Sequence, residues 1–225
     1  MTPWTLLDST QVPGNGGELC LYQRNNEFSI KITGRGELMN SRVHDSENAL
    51  AEYTCARLVN CAQPRFLIGG LGMGFTLAAA LRHLGGQAQL VVAELVPAVV
   101  TWNRGPLGEC AGHPLRDPRV TVKETDVARL LVAGEQTYDA ILLDVDNGPE
   151  GLTRKENDWL YSISGLSEAY AALRPRGLLA VWSAGPDNSF LQRLRKTGFD
   201  VDEVRVHAHG SKGARHIIWF ACRTI

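Results

Sequence analysis

Apolar and polar residues follow two different rhythms along the chain, and the change falls near residue 45. Before it, LCLYQ (19–23) and FSIKI (28–32) are short runs of strand-forming residues joined by the turn-prone RNNE, and GRGEL follows as a second turn. This pattern predicts a small β-hairpin appendage over residues 1–45. From Ser46 the spacing lengthens to that of a helix. SENALAEYTCARLVN repeats Leu50, Tyr53 and Leu58 on one side, with Ala51 and Cys55 alongside and Ser46 as the expected N-cap.

After Pro64 strand-like and helix-like segments alternate. RFLIGG is a strand running into glycines, and FTLAAALRHLG a helix stopped by Gly85 and Gly86. AQLVVAEL is a buried strand, and PAVVTWNRG opens a helix at Pro97. RVTVKETD is followed by the short helix VARLLVAG, and YDAILLDVD is a strongly apolar strand ending in acids. LYSISGLSEAYAALRPRG reads as a helix, LLAVWSA as a fifth strand and SFLQRLRKTGF as a helix closed by Gly198. VDEVRVHAH and HIIWFACR then form an antiparallel pair, with His207 and His209 on one strand face. Repeated strand–helix units demand parallel pairing with right-handed crossovers. The expected class is therefore α/β over residues 46–225: a Rossmann-like, mostly parallel sheet with an antiparallel edge strand and the β appendage in front.

Composition narrows the partners. Lys and Arg total 23 against 24 Asp and Glu, a net charge of −1, so neither a nucleic-acid wrapper nor a polybasic membrane binder is expected. MTPWTLLDST has no basic segment and no apolar core, and no run approaches the roughly 18 apolar residues of a membrane span, which makes a cytoplasmic protein the expectation. Cys20, Cys55, Cys61, Cys110 and Cys222 are odd in number and lack metal-ligand spacing, so reduced, mostly buried thiols and no metal centre are expected. The 23 glycines exceed the usual share of roughly 7%, and they concentrate between Gly69 and Gly74.

In such sheets ligands bind beyond the carboxyl ends of the strands. IGGLGMGF (68–75) joins a buried strand to a helix, where glycines let a ligand approach the backbone and the helix start offers free N–H groups. Glu94, twenty residues past Gly74, ends the next strand and suits a ribose diol. Asp126 in KETDV is read equally as the N-cap of the following helix or as acceptor of an adenine amine. Asp144 and Asp146 end AILLDVD. Either is placed to bind an amine, take its proton or hold a metal, and the polar segment after Gly148-Pro149, through Asp158, suits a closing lid.

These residues together resemble the spermidine/spermine synthase family, on the methyltransferase-type Rossmann-like fold. The likeness runs through the Ser46-Glu47 to Glu52 helix, IGGLGMG, VVAEL, DPRVTVKETD, YDAILLDVDNGPEGL and LRPRGLLAV. It implies an often dimeric enzyme that moves an alkyl group from S-adenosylmethionine or its decarboxylated form. Gly69, Gly70, Gly72 and Gly74 would line the nucleoside, Glu94 would hold its ribose, Asp126 and Val127 its adenine, and Asp144 and Asp146 would serve catalysis. The sequence departs from the family where Gly72 replaces an aspartate that meets the aminopropyl amine, and where Leu50 and Ala51 replace a Tyr-His pair. The resulting expectation is alkyl transfer to an unidentified nucleophile, an amine first, with methyl slightly favoured over aminopropyl. LLDVDN also resembles the metal-binding strand end of catechol-type O-methyltransferases, with Asp187-Asn188 as a second Asp-Asn pair, and a non-catalytic nucleoside-binding module is the third reading.

Overall fold

The computed structural model describes residues 2–14, 16–58, 61–145, 159–209 and 212–224. Four N-terminal strands, β1 (Thr5–Gln11), β2 (Glu18–Arg24), β3 (Glu27–Ile32) and β4 (Gly36–Asn40), form an antiparallel sheet in that order. The expected hairpin is its centre, β2 and β3, paired from Leu19–Ile32 to Arg24–Glu27. Strands β1 and β4 flank it and were not foreseen. β1 is almost wholly exposed and carries no buried alternate stripe, and β4 begins at a glycine that reads as a turn.

The second sheet orders its strands β10-β11-β9-β8-β5-β6-β7. These are β5 (Arg65–Gly69), β6 (Gln89–Glu94), β7 (Val120–Glu124), β8 (Tyr138–Leu143), β9 (Leu173–Ser183), β10 (Phe199–His209) and β11 (Lys212–Arg223). All neighbours from β7 to β9 are parallel, and β11 runs antiparallel to both β9 and β10. Among the described residues six α-helices accompany them: α1 (Asp45–Arg57), α2 (Phe75–His83), α3 (Pro97–Arg104), α4 (Val127–Val132), α5 (Ile163–Ala172) and α6 (Asn188–Thr197). The central strands are continuous apolar runs through their middles because both faces are covered, with charged residues such as Arg65 and Asp139 only near their ends. Phe66 and Ile68 of β5, with Ala140 and Leu142 of β8, enter a core shared with α1, α2 and α3. Leu67, Ile141 and Leu143 enter a second core with α4, α5 and α6. The first core also takes Leu19, Leu21, Phe28, Ile30 and Ile32 from the N-terminal sheet.

Local expectations are corrected at several points. Helix α1 starts at Asp45 with His44 in the cap position, so Ser46 is inside the helix and buried. Its buried face is Ser46, Leu50, Ala51 and Thr54, while Tyr53 is 40% exposed. Thr54 can be buried because its hydroxyl donates to the Leu50 carbonyl oxygen at 2.6 Å. Helix α5 ends at Ala172 rather than in the Arg-Pro-Arg stretch. Pro175 keeps Arg174 out of helical geometry, and β9 takes over from Leu173 with a register slip against β8. Of the five free cysteines only Cys20 is buried; the others are half-buried. The pairing of β10 with β11 shifts register between His207 and His209, the extra residue falling on β11.

β6 and β8 pair with opposite edges of β5, and the chain visits β6 and β7 before returning to β8. The crevice beyond the ends of β5 and β8 is therefore the topological switch point, where ligands of such sheets bind.

Candidate functional site

The loop after β5 is built on left-handed glycines: Gly70 has φ 88°, Gly72 φ 52° and Gly74 φ 83°. Gly70 must lack a side chain, because a Cβ there would run into the Asp144 carbonyl oxygen. Gly74 takes the cap position of α2, and its N–H donates to the Leu71 carbonyl at 2.8 Å. Gly69 is close-packed against Val127 and Leu143, at 3.0 and 3.1 Å from the place of a Cβ.

Glu94 ends β6 and is only 7% exposed. Its Oε2 accepts the Leu71 N–H at 2.9 Å and its Oε1 the Val96 N–H at 2.8 Å. Burial pushes its pKa up, against the pull of backbone N–H groups of Val96, Leu71, Leu95 and Gly72. The carboxylate thus ties the glycine loop to the start of α3, and each oxygen keeps acceptor capacity for a hydroxyl. Asp126 caps α4: its Oδ1 accepts the Ala128 N–H at 2.9 Å. The capping reading holds, and the same residue also borders the cavity described next.

Asp144 leaves β8 with its N–H donating to the Gly69 carbonyl at 3.0 Å. The Thr76 hydroxyl, in the first turn of α2, donates to its Oδ2 at 2.7 Å. Burial pushes the Asp144 pKa up, and the Thr76 bond opposes that rise. Glu47 of α1 is the neighbour that sequence reasoning left without a role. Burial, then the charge of Asp144, raise its pKa to about 7, although the Ser46 hydroxyl donates to its Oε2 at 2.7 Å. The signal was present in the spacing: Glu47 precedes Leu50, Ala51 and Thr54 by three, four and seven residues, and so shares their inward face.

One cavity of about 200 Å³ collects these groups. Gly70, Gly72, Glu94, Asp126, Val127 and Asp144 line it, and Glu47 and Trp182 join them. Gly69 and Gly74 are not among its lining residues and shape the turn behind it. The N-terminal sheet contributes Val12, Leu19, Ile30, Ile32, Leu38 and Met39. The Met39 sulfur lies 3.2 Å from where a Cβ on Gly72 would stand. Trp182 packs edge-on against His216, with ring centroids 4.7 Å apart. Asp146 and the segment through Asp158 lie outside the described residues. Asp187, considered as a metal ligand, instead caps α6 by accepting the Phe190 N–H at 2.9 Å. Among the described residues no group of three His, Cys, Asp or Glu is arranged to hold a metal ion, and no helix is long and apolar enough to cross a membrane.

No family model matches the chain. It is 32% identical over 122 residues to polyamine aminopropyltransferase 1 of Streptomyces coelicolor; the match spans 53% of this chain and 22% of that relative. In structure it is similar to a spermidine synthase solved in complex with the transition-state analogue AdoDATO, with a TM-score of 0.77 and 16% identity over 98% of this chain and 73% of the other. Spermidine synthase from Thermotoga maritima gives 0.76 and 15% over the same shares. A probable spermidine synthase from Corynebacterium glutamicum gives 0.67 and 15%, over 98% of this chain and 80% of that one. The chain therefore has the spermidine synthase fold, and its resemblance to that family stands in sequence as well as in structure.

Proposed function

We propose that the protein is a transferase of the S-adenosylmethionine type, moving an alkyl group from a sulfonium nucleoside to an amine. The observation that carries this is the convergence of Glu94, Asp126 and Asp144 with the glycine loop on one cavity at the switch point. The fit is good on its own terms: Glu94 offers acceptors for a ribose, Asp126 stands beside Val127 for a base, and Gly70 admits only bare backbone. The donor, when bound, supplies a carbon activated by a positively charged sulfur. The acceptor nitrogen forms the new C–N bond as the C–S bond breaks, its electron pair going to sulfur, and the nitrogen then sheds a proton. Asp144, held by Thr76, orients the amine and receives that proton. The rest of the chain's task is alignment and exclusion of water.

The aminopropyltransferase relative and the fold neighbours support decarboxylated S-adenosylmethionine as donor and aminopropyl as the transferred group. One observation favours methyl transfer from S-adenosylmethionine as a second reading: position 72 is a glycine against the Met39 sulfur, so it brings no carboxylate to an aminopropyl ammonium. The experiment is turnover with each donor and a panel of amines, following methylthioadenosine and S-adenosylhomocysteine separately. Methylthioadenosine release is expected from the decarboxylated donor. Turnover confined to the carboxylated donor would select the methyl reading, and nucleoside binding without any turnover would leave a binding module. The metal-assisted O-methyltransferase reading loses the Asp187 arm to helix capping. A homodimer paired through the exposed edge of β1, where Leu6 is 51% exposed, belongs to the same proposal.

A further inference from the structure

The described lining of the cavity carries charge of one sign. Four carboxylates line it, and among its described lining residues there is no Lys or Arg. Glu94 and Asp126 are accounted for by neighbouring backbone N–H groups. Glu47 and Asp144 are held only by short-range donors, the hydroxyls of Ser46 and Thr76 and the backbone N–H of Glu47 itself. Two neighbouring half-buried carboxylates repel, and the pair is relieved by a shared proton or by a cation from outside. The wall supplied by the N-terminal part has a different character: Val12, Leu19, Ile30, Ile32, Leu38 and Met39 are apolar, and its polar member, Asn40, is already bonded to Glu37 and Arg42. A second ammonium facing that wall would be desolvated with no carboxylate against it among the described residues.

We propose that Glu47 and Asp144 form a two-carboxylate clamp for a single ammonium group, and that the acceptor is a primary monoamine whose apolar body rests on the N-terminal sheet. This deepens the transferase reading and rests on it. Glu47 is then an acceptor-binding residue and a determinant of specificity between amines bearing one charge and two.

The experiment compares n-pentylamine with 1,5-diaminopentane, two acceptors of equal length, at saturating donor, in the full chain and in Glu47→Gln and Glu47→Asp. The expected result is a kcat/KM at least tenfold higher for the monoamine. Glu47→Gln should raise the amine KM more than tenfold, Glu47→Asp should restore part of it, and methylthioadenosine affinity by calorimetry should stay within twofold. The wild-type profile of log(kcat/KM) should inflect near pH 7, and the inflection should vanish in Glu47→Gln. The titrating surroundings of Glu47 are Asp45 and His44 at the start of α1, with Asp144, Glu94 and Asp126 on the cavity. Preference for the diamine, or an unchanged amine KM in Glu47→Gln, overturns the clamp while the nucleoside site stands. Selective loss of the decarboxylated donor relative to methylthioadenosine assigns Glu47 to the donor and also overturns it. Failure of the wild type to bind methylthioadenosine removes the transferase reading itself.

Discussion

Glu47 keeps its proton up to about pH 7 because burial and the nearby Asp144 charge both oppose ionisation. In the unfolded chain the same group ionises near the ordinary value of 4.5. Between those limits the folded state binds the extra proton, so the stability it contributes is complete below pH 4.5 and is lost as pH rises through 7. The change is expected to be about 3 kcal/mol, read by denaturant titration at a series of pH values, and Glu47→Gln should flatten it. Glu94 gives a different outcome. Glu94→Ala leaves the Leu71 and Val96 N–H groups buried without their acceptor, at a cost of about 2–4 kcal/mol, and should remove most methylthioadenosine affinity in a calorimetric titration. Glu94 was legible because it is the lone acid in an apolar strand. Its bonds to Leu71 and Val96 were not, since they depend on how two loops meet in space. Glu47 carried a spacing signal, but its chemistry arises from Asp144, 97 positions away in the chain.

The central elements β5, α2, β6 and β8 could be read directly, because a strand buried on both faces is a continuous apolar run ended by glycine or acid. The flanking ones could not. β1 shows exposed TLLDSTQ with no inward stripe, and the α5–β9 junction is decided by Pro175 inside a segment that looks helical by composition. Asp126 is the element whose two readings remain to be separated, since one carboxylate can cap α4 and also face the cavity. Asp126→Ala should cost about 1 kcal/mol of stability through the lost cap. Asp126→Ser should restore the cap, because a serine oxygen accepts the same N–H. If the adenine contact is real, nucleoside affinity falls in both variants; if Asp126 only caps, the serine protein binds as the wild type does.

At the scale of the molecule, a boundary near residue 45 divides two sheets but not two cores. Leu19, Leu21, Phe28, Ile30 and Ile32 share a cluster with Leu50, Phe66 and Phe75, and the Trp102 indole N–H of α3 donates to Asp8 of β1 at 2.7 Å. Unfolding is therefore expected as a single calorimetric transition. A chain lacking residues 2–40 should expose that apolar surface and bind a hydrophobic dye, whereas two separate transitions would show that the β appendage of residues 1–45 folds apart from the α/β part. The pattern marked the chemistry of the α/β core, yet the cavity wall comes from strands whose neighbours lie far away in sequence, so its apolar character emerged only with the fold.

Trp182 also has a practical use. Its ring forms part of the cavity wall, beside His216, whereas Trp102 and Trp219 are buried away from it, hydrogen-bonded to Asp8 and Glu203. Excited at the red edge of its absorption, the protein should report site occupancy through its own emission. Methylthioadenosine should change the intensity or colour of that light in a saturable way, and Trp182→Phe should abolish the response while the background from the other indoles persists. The fold has thus placed an optical gauge in the wall of the chamber it would measure, and occupancy can be followed in real time without a label.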